Sequence, residues 1–364
     1  MNKSKLYLSL LFGWLLFGAL SLSITSCSDD DDDNTPTITA DKTKLSALID
    51  STTAVHNAAV EGAKPGNYST GSKATFKTAI DAATATKNDA SATQTTVNSA
   101  EAALRRAAKA FQNSLVQEVS AANLVAQWKF EGNANDATAN GNNGTLMAGY
   151  INDPNTTTAT KMMGNTQPVL VADRFGRPNQ AYAFDKGAYI EVPYKVTLNP
   201  QAITISAWVK RSGTNADNYI VSLNRWQGYK LQLQSASKPF MTVATTTGIT
   251  DKDAETGIVA DATWTHVVSS YVDGTMKFYI NGALVKTWTG ITGALKATPQ
   301  PIPLAIGQQL PNSIWDSASP AGETDYFKFY GAGYFIGSMD DIRIYNRALT
   351  DAEVNSIYTI ENSL

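Results

Sequence analysis

The chain has 364 residues, 17% of them charged, with 29 Lys and Arg against 32 Asp and Glu for a formal net charge of −3. No positive field able to hold a phosphate backbone follows from that balance, so nucleic acid is excluded as the expected partner. A single cysteine rules out an internal disulfide framework and a thiolate zinc site, and the length allows two or three domains stabilised by burial.

Lys3 and Lys5 precede an apolar run over residues 6–22, and Ile24-Thr25-Ser26-Cys27-Ser28 closes it with small residues and the unique cysteine. A charged start, an apolar segment and a small-residue end form the layout of an export signal, and the run falls short of the ~20 residues of a comfortable span. The stretch resembles the bacterial lipobox, which implies a signal peptide over 1–26 and lipidation of Cys27. The aspartates at 29–33 resemble the surface-export signal of Bacteroidetes-type lipoproteins. Together they imply a lipid-anchored outer-membrane protein exposed at the cell surface, touching the membrane through acyl chains alone. Residues 27–40, acidic and then Thr- and Pro-bearing, have too few apolar groups to pack and form a tether.

Over 41–119 the apolar positions recur at helical spacing in three blocks: Leu45, Leu48, Ile49, Thr52 and Val55; Phe76, Ala79, Ile80 and Ala83; and Val97, Ala100, Leu104, Ala107, Phe111 and Leu115. Lys64-Pro65-Gly66-Asn67 and Asn88-Asp89 separate the blocks, and Thr93 is placed to cap the third. A three-helix bundle with a thin, alanine-lined core is expected, serving as a spacer. Its stripes resemble the short "found in various architectures" module of bacterial surface proteins.

From Ser120 the period changes to two. Alternation marks 125–130, 188–192, 203–210, 229–234, 264–271, 276–280 and 342–345, with Asp273-Gly274 and Asn281-Gly282 as tight hairpin turns. Ten to twelve strands with short turns predict an antiparallel two-sheet jelly-roll sandwich over 120–364 rather than an α/β domain, so the fold is mainly β. Thr350 and Glu353 form a capping box for one closing helix.

Leu124-Val125-Ala126-Gln127-Trp128-Lys129-Phe130, Ala183-Phe184-Asp185, Ile205-Ser206-Ala207-Trp208-Val209, Trp264-Thr265-His266-Val267-Val268, Lys277-Phe278-Tyr279-Ile280-Asn281-Gly282 and Ser338-Met339-Asp340-Asp341-Ile342-Arg343-Ile344-Tyr345 follow in order. They resemble the laminin-G-like, concanavalin A-like lectin and glucanase jelly-roll family. The resemblance implies the sandwich and a tendency to bind carbohydrate, often with calcium; fold alone does not settle function.

A hydrolase needs two carboxylates facing across a groove. None of Glu131, Glu191, Glu255, Glu323, Glu353 and Glu361 sits in the Glu-x-Asp-x-x-Glu strand pattern of jelly-roll glucanases, and His266 is the only histidine of the β region, so no catalytic residue is assigned. For a calcium ion, which takes oxygen ligands, Asp136 in a Gly/Asn-rich loop and Asp340 at the start of the last strand are the candidates, with turn capping as the other reading. Trp128, Trp208 and Trp264 belong to framework strands and are assigned to the core. For sugar binding, Arg225, Trp226 and Gln227 offer a polar fork beside a flat face between two strands. The long segment 308–334 adds Trp315, Tyr326 and Tyr330, either packed or built for contact. These features lead to a non-catalytic surface lipoprotein that captures extracellular polysaccharide, with neighbouring glycan-uptake proteins as partners. The rivals are a protein-binding adhesion module and a glycoside hydrolase with an unrecognised carboxylate pair.

Overall fold

The structure, a computed structural model, describes residues 39–213, 217–318 and 326–363. The expected signal peptide, Cys27 and the aspartate run lie outside the described residues.

Three helices open the described chain: α1 (Thr43–Ala58), α2 (Ser72–Asn88) and α3 (Gln94–Asn113). The Thr93 hydroxyl accepts the Thr96 N–H at 3.2 Å, which satisfies one of the orphan donors of the α3 start. Leu45, Ile49, Phe76, Ile80, Ala83, Val97, Leu104 and Phe111 form the bundle core. It is less dependent on alanine than expected, because Phe111 stacks between Tyr68 at 4.2 Å and Phe76 at 4.5 Å.

The β region contains β1 (Leu124–Trp128), β2 (Thr145–Met147), β3 (Tyr150–Asn152), β4 (Lys161–Met163), β5 (Val169–Val171), β6 (Ala181–Phe184), β7 (Tyr189–Val192), β8 (Ile203–Arg211) and β9 (Asp217–Leu223). It continues with β10 (Tyr229–Gln234), β11 (Pro239–Thr245), β12 (Gly248–Asp253), β13 (Thr265–Val272), β14 (Gly274–Ile280), β15 (Ala283–Ile291), β16 (Leu304–Ile306) and β17 (Gly337–Tyr345). One sheet runs β15-β14-β13-β8-β17-β6-β5 with β1 also on β17; the other runs β12-β11-β10-β9-β16-β7-β2, and β3-β4 is a separate ribbon. All pairings are antiparallel, and three-residue strands raise the strand number above the ten to twelve that alternation suggested.

The period-2 pattern sets which side chains face inward. Ile203, Ile205, Ala207 and Val209 of β8 and Tyr229, Leu231 and Leu233 of β10 meet in the core between the sheets, together with Trp128 and Phe278. Asn281 (φ 50°) and Gly282 (φ 76°) form the β14–β15 turn as their sequence predicts. At the β13–β14 turn only Gly274 (φ 93°) adopts positive φ, and Asp273 does not.

The closing helix α4 (Asp351–Glu361) has the expected capping box. It lays Val354 and Ile357 on Val268, Tyr279 and Tyr345, the outer face of the larger sheet. The same helix holds the bundle: the Ser356 hydroxyl accepts the Gln117 N–H at 2.8 Å, and the Asn355 amide donates to Ser69 at 3.0 Å. The bundle is thus hydrogen-bonded to the sandwich through α4. Among the described residues no helix is long and apolar enough to cross a membrane.

Candidate functional site: an aromatic cleft over buried cations

The turn from β9 to β10 carries two consecutive non-glycine residues in the left-handed region, Asn224 (φ 56°) and Arg225 (φ 46°). Asparagine tolerates that region; arginine does so at a cost of roughly 1–2 kcal/mol. The Gln227 N–H closes the turn on the Asn224 carbonyl at 2.8 Å. Gly228 lets the chain pass behind, since a Cβ there would lie 2.3 Å from the Leu223 carbonyl oxygen. Strain of this kind persists where the surroundings over-determine it, and it is common at ligand sites. Its effect here is to turn Arg225 inward, 1% exposed, and leave Trp226 half-buried at the mouth of a cleft of about 460 Å³.

Arg225, Trp226, Tyr219, Lys230, Gln309 and Tyr330 line that cleft, with Asn152 and Asp217. Tyr219 and Lys230 come from β9 and β10, so the cleft lies on the outer face of the smaller sheet; Lys230 alternates with core residues Tyr229 and Leu231. The rings of Trp226 and Tyr330 stand 6.3 Å apart, tilted by 46°. Beneath them the Arg225 guanidinium lies 3.7 Å from the Trp226 ring centre, 5.5 Å from that of Trp315 and 5.8 Å from that of Tyr330. Its Nη1 donates to Gln309 Oε1 at 3.0 Å, and its Nε and Nη2 have no hydrogen-bond partner among the described residues. The Lys230 ammonium donates to the Tyr219 hydroxyl at 3.2 Å. Burial lowers the pKa of Arg225 to about 10 and that of Lys230 to about 8, because an enclosed site disfavours the charged form.

Segment 308–334 divides between packing and display. Trp315, Phe327 and Phe329 bury against Ile302 and Leu310 as a satellite core. Trp315, expected to contact ligand, is 6% exposed and packs edge-on to Phe329 at 5.2 Å. Tyr326 packs partly buried on the same cluster. Tyr330 alone of the three faces solvent, 53% exposed. The Gln309 amide fastens the segment by donating to the Gly331 carbonyl at 2.8 Å, and the Ser222 hydroxyl donates to the Gln309 carbonyl at 2.7 Å. Of the six residues proposed from sequence, Arg225, Trp226 and Tyr330 converge, whereas Gln227, Trp315 and Tyr326 do not line the cleft. Arg225 and Gln227 are not an open fork: both are buried, Gln227 at 2% exposure.

Asp136 accepts the backbone N–H groups of Gln127 and Thr138 at 3.0 Å and of Asn142 at 2.9 Å, plus the Thr138 hydroxyl. These bonds outweigh the cost of burial and hold its pKa below the usual value. Asp340 accepts from Arg174 Nη1 at 2.6 Å and from the Asp341 N–H at 2.8 Å. A hard cation does not fit either donor set, because the oxygens already face N–H groups and a guanidinium; among the described residues no three acidic, His or Cys groups gather around a metal position.

Asp340 belongs to a larger buried network under α4 that no sequence pattern announced. Arg174 also pairs with Asp341 at 2.9 Å and lies 4.6 Å from the ring centre of Trp208, whose Nε1 donates to Glu361 at 2.7 Å. Glu361 meets Arg343 at 2.5 Å. Burial raises Glu361 to about 7 and Asp340 to about 8, against the pull of the arginines. His266 Nε2 lies 2.8 Å from the Ser206 hydroxyl and 4.0 Å from Glu361. Superficially this is a serine, histidine and acid triad. One ring nitrogen faces both partners, however, whereas a proton relay uses two, and all three side chains are sealed at 1% exposure or less. Burial depresses His266 to about 3, so it is neutral. Trp208 is therefore buried as expected but on the outer face of β8, and Trp264 is only half-buried beside Lys210.

The cleft residues missed from sequence, Tyr219, Lys230 and Gln309, had one weak signal. Lys230 is a charged side chain inside a strand whose neighbours on both sides are apolar.

Among solved structures, domain 4 of AbnA, a GH43 extracellular arabinanase from Geobacillus stearothermophilus in complex with arabinotriose, matches at 18% identity and TM-score 0.47, over 65% of this chain and 98% of that one. The binding domain of Paraclostridial Mosquitocidal Protein 1 matches at 18% identity and TM-score 0.44, over 65% and 52%. The binding domain of botulinum neurotoxin serotype G matches at 14% and 0.44, over 66% and 52%; the chain thus spans about half the length of both toxin chains. No curated protein matches. Residues 41–112 match the model of the FIVAR domain, and residues 184–355 match the family model described as the concanavalin A-like lectin/glucanases superfamily.

Proposed function

We propose that this is a surface-anchored, non-catalytic carbohydrate-binding lipoprotein that holds extracellular polysaccharide in the cleft lined by Trp226 and Tyr330. The observation that carries the reading is that cleft. The Trp226 and Tyr330 rings pack as a pair, centres 6.3 Å apart, and form an aromatic wall beside the polar side chains of Asn152, Gln309 and Lys230, which suits the C–H faces and hydroxyls of a sugar. The family match at 184–355 covers β9 and β10, which carry Tyr219 and Lys230. Cys27 carries the lipid in this reading, and the aspartates at 29–33 direct export to the outer face.

Two platforms contributing roughly 2 kcal/mol each give a dissociation constant near ~1 mM for one site. Many copies on one membrane raise the apparent affinity for a polymer, since later contacts become intramolecular.

A glycan array probed with the protein and with Trp226→Ala tests the site. Signal on the array that Trp226→Ala loses supports it; equal binding by both sinks this cleft as the sugar site, and no signal from either favours the adhesion reading. Release of reducing ends from a bound polysaccharide would show a hydrolase instead. For the anchor, Cys27→Ala abolishes lipidation, and Ala at 29–33 leaves a lipidated protein that protease cannot strip from intact cells.

A further inference from the structure

The cleft contains more positive charge than the fold neutralises. Arg225 is 1% exposed and Lys230 is 6% exposed, and among the described residues neither has a carboxylate within 4.0 Å. The nearest acids are engaged elsewhere: Asp217 accepts from the Gln232 amide at 2.9 Å, and Asp251 accepts from the Thr242 hydroxyl at 2.5 Å. Arg225 makes one hydrogen bond, to a neutral amide, and two of its nitrogens make none. A buried cation left with unused donors is costly, and stacking on Trp226 and Trp315 offsets it only in part.

We infer that the cleft selects an acidic sugar, whose carboxylate or sulfate is the missing partner of Arg225 and Lys230. The inference rests on the carbohydrate-binding reading above and adds the class of sugar. Two cations against the single carboxylate of Asp217 leave the cleft positive within a chain of net charge −3. Trp226 lies over the guanidinium, so bidentate contact follows rotation of the indole toward the solvent it already half faces. The planar donor edge of Arg225 then matches a carboxylate or a sulfate edge, and Lys230 supplies the second charge. A neutral sugar would stack on the aromatics and leave both cations unpaired, so discrimination should be large.

The test is titration calorimetry on the full chain, kept free of lipid by Cys27→Ala. One pair of probes is an oligogalacturonide and its carboxyl-reduced counterpart; the other is a chondroitin sulfate tetrasaccharide and its desulfated counterpart. The charged member of one pair should bind at least tenfold tighter than its neutral partner, and which pair responds separates carboxylate from sulfate. Added NaCl should weaken the charged ligand and not the neutral one. Lys230→Met and Arg225→Met should each remove the advantage and keep the wild-type circular dichroism. Should one variant fail to fold, the salt series on wild type still decides. Equal affinity for charged and neutral members overturns this inference and leaves the carbohydrate reading standing. An advantage that survives in both variants overturns it as well. Binding of no sugar, here or on the glycan array, removes the carbohydrate reading and this inference with it.

Discussion

Two regions of this molecule bury arginines, and they do so in opposite ways. Under α4, Arg174 and Arg343 meet Asp340, Asp341 and Glu361 at 2.5 to 2.9 Å. On the outer face of the smaller sheet, Arg225 and Lys230 have aromatic rings, an amide and a hydroxyl for neighbours. The contrast is between charges that the fold pairs and charges that it leaves for a ligand in the proposed reading. A compensated network joins elements, here the helix and the last strand, and loss of one partner leaves a buried charge uncompensated and destabilises the fold. Uncompensated charge in an open cleft works against stability, and a ligand that neutralises it gains what the fold forgoes.

The contrast is broken most forcefully by Glu361→Ala, which leaves Arg343 without its ion-pair partner and the Trp208 N–H without its acceptor. Thermal denaturation should show a loss of about 3–5 kcal/mol, while sugar binding by the folded fraction stays unchanged. A wild-type melting curve would mean that the network is not what fastens α4. Trp315→Ala should follow at about 3 kcal/mol of stability through the cavity left in the satellite core. Trp226→Ala should do the reverse, costing about 1–3 kcal/mol of sugar binding with little change in melting temperature, because its loss exposes Arg225 to water.

Lys230 gives a smaller effect of opposite sign. Its pKa is lowered to about 8 from an unfolded value near 10.5, by burial and the nearby Arg225 against the attraction of Asp251 and Asp217, with the Tyr219 hydroxyl as its hydrogen-bond partner. Between those values the unfolded chain binds more protons, so stability rises with pH across that window. Lys230→Met should be as stable as wild type or more so, and the gap between them should close as pH climbs from 8 to 10.5. Over the same range wild type should lose affinity for an acidic oligosaccharide. A gap that widens with pH would show Lys230 to be compensated after all. Tyr330→Ala should be the mildest change, within about 0.5 kcal/mol in stability for a half-exposed ring.

Much of the fold was legible because its signals are local. The Thr93 cap, the Thr350 and Glu353 box and the Asn281-Gly282 hairpin each depend on two to four consecutive residues, and all form as read. Half of the site was legible for the same reason: Trp226 stands out as an aromatic between two strands. Segment 308–334 carries no period, so nothing in it distinguishes Trp315, which packs, from Tyr330, which is displayed. The left-handed Arg225 was invisible too, since its neighbours impose a conformation that its own side chain disfavours.

By itself the sequence determined the sandwich, the helical module ahead of it, their order and the presence of an aromatic between β9 and β10. Alternation, helical spacing and turn chemistry act through near neighbours, and each is written where it operates. Only the tertiary structure decided which charges meet. It brought Asp340 to Arg174 rather than to Asp136, and His266 to Ser206 on the adjacent strand. It set Lys230 beside Arg225 beneath Trp226 and Tyr330. Coulombic pairing and desolvation depend on distance and enclosure in space, and residues far apart in the chain acquire both only when the sheets close.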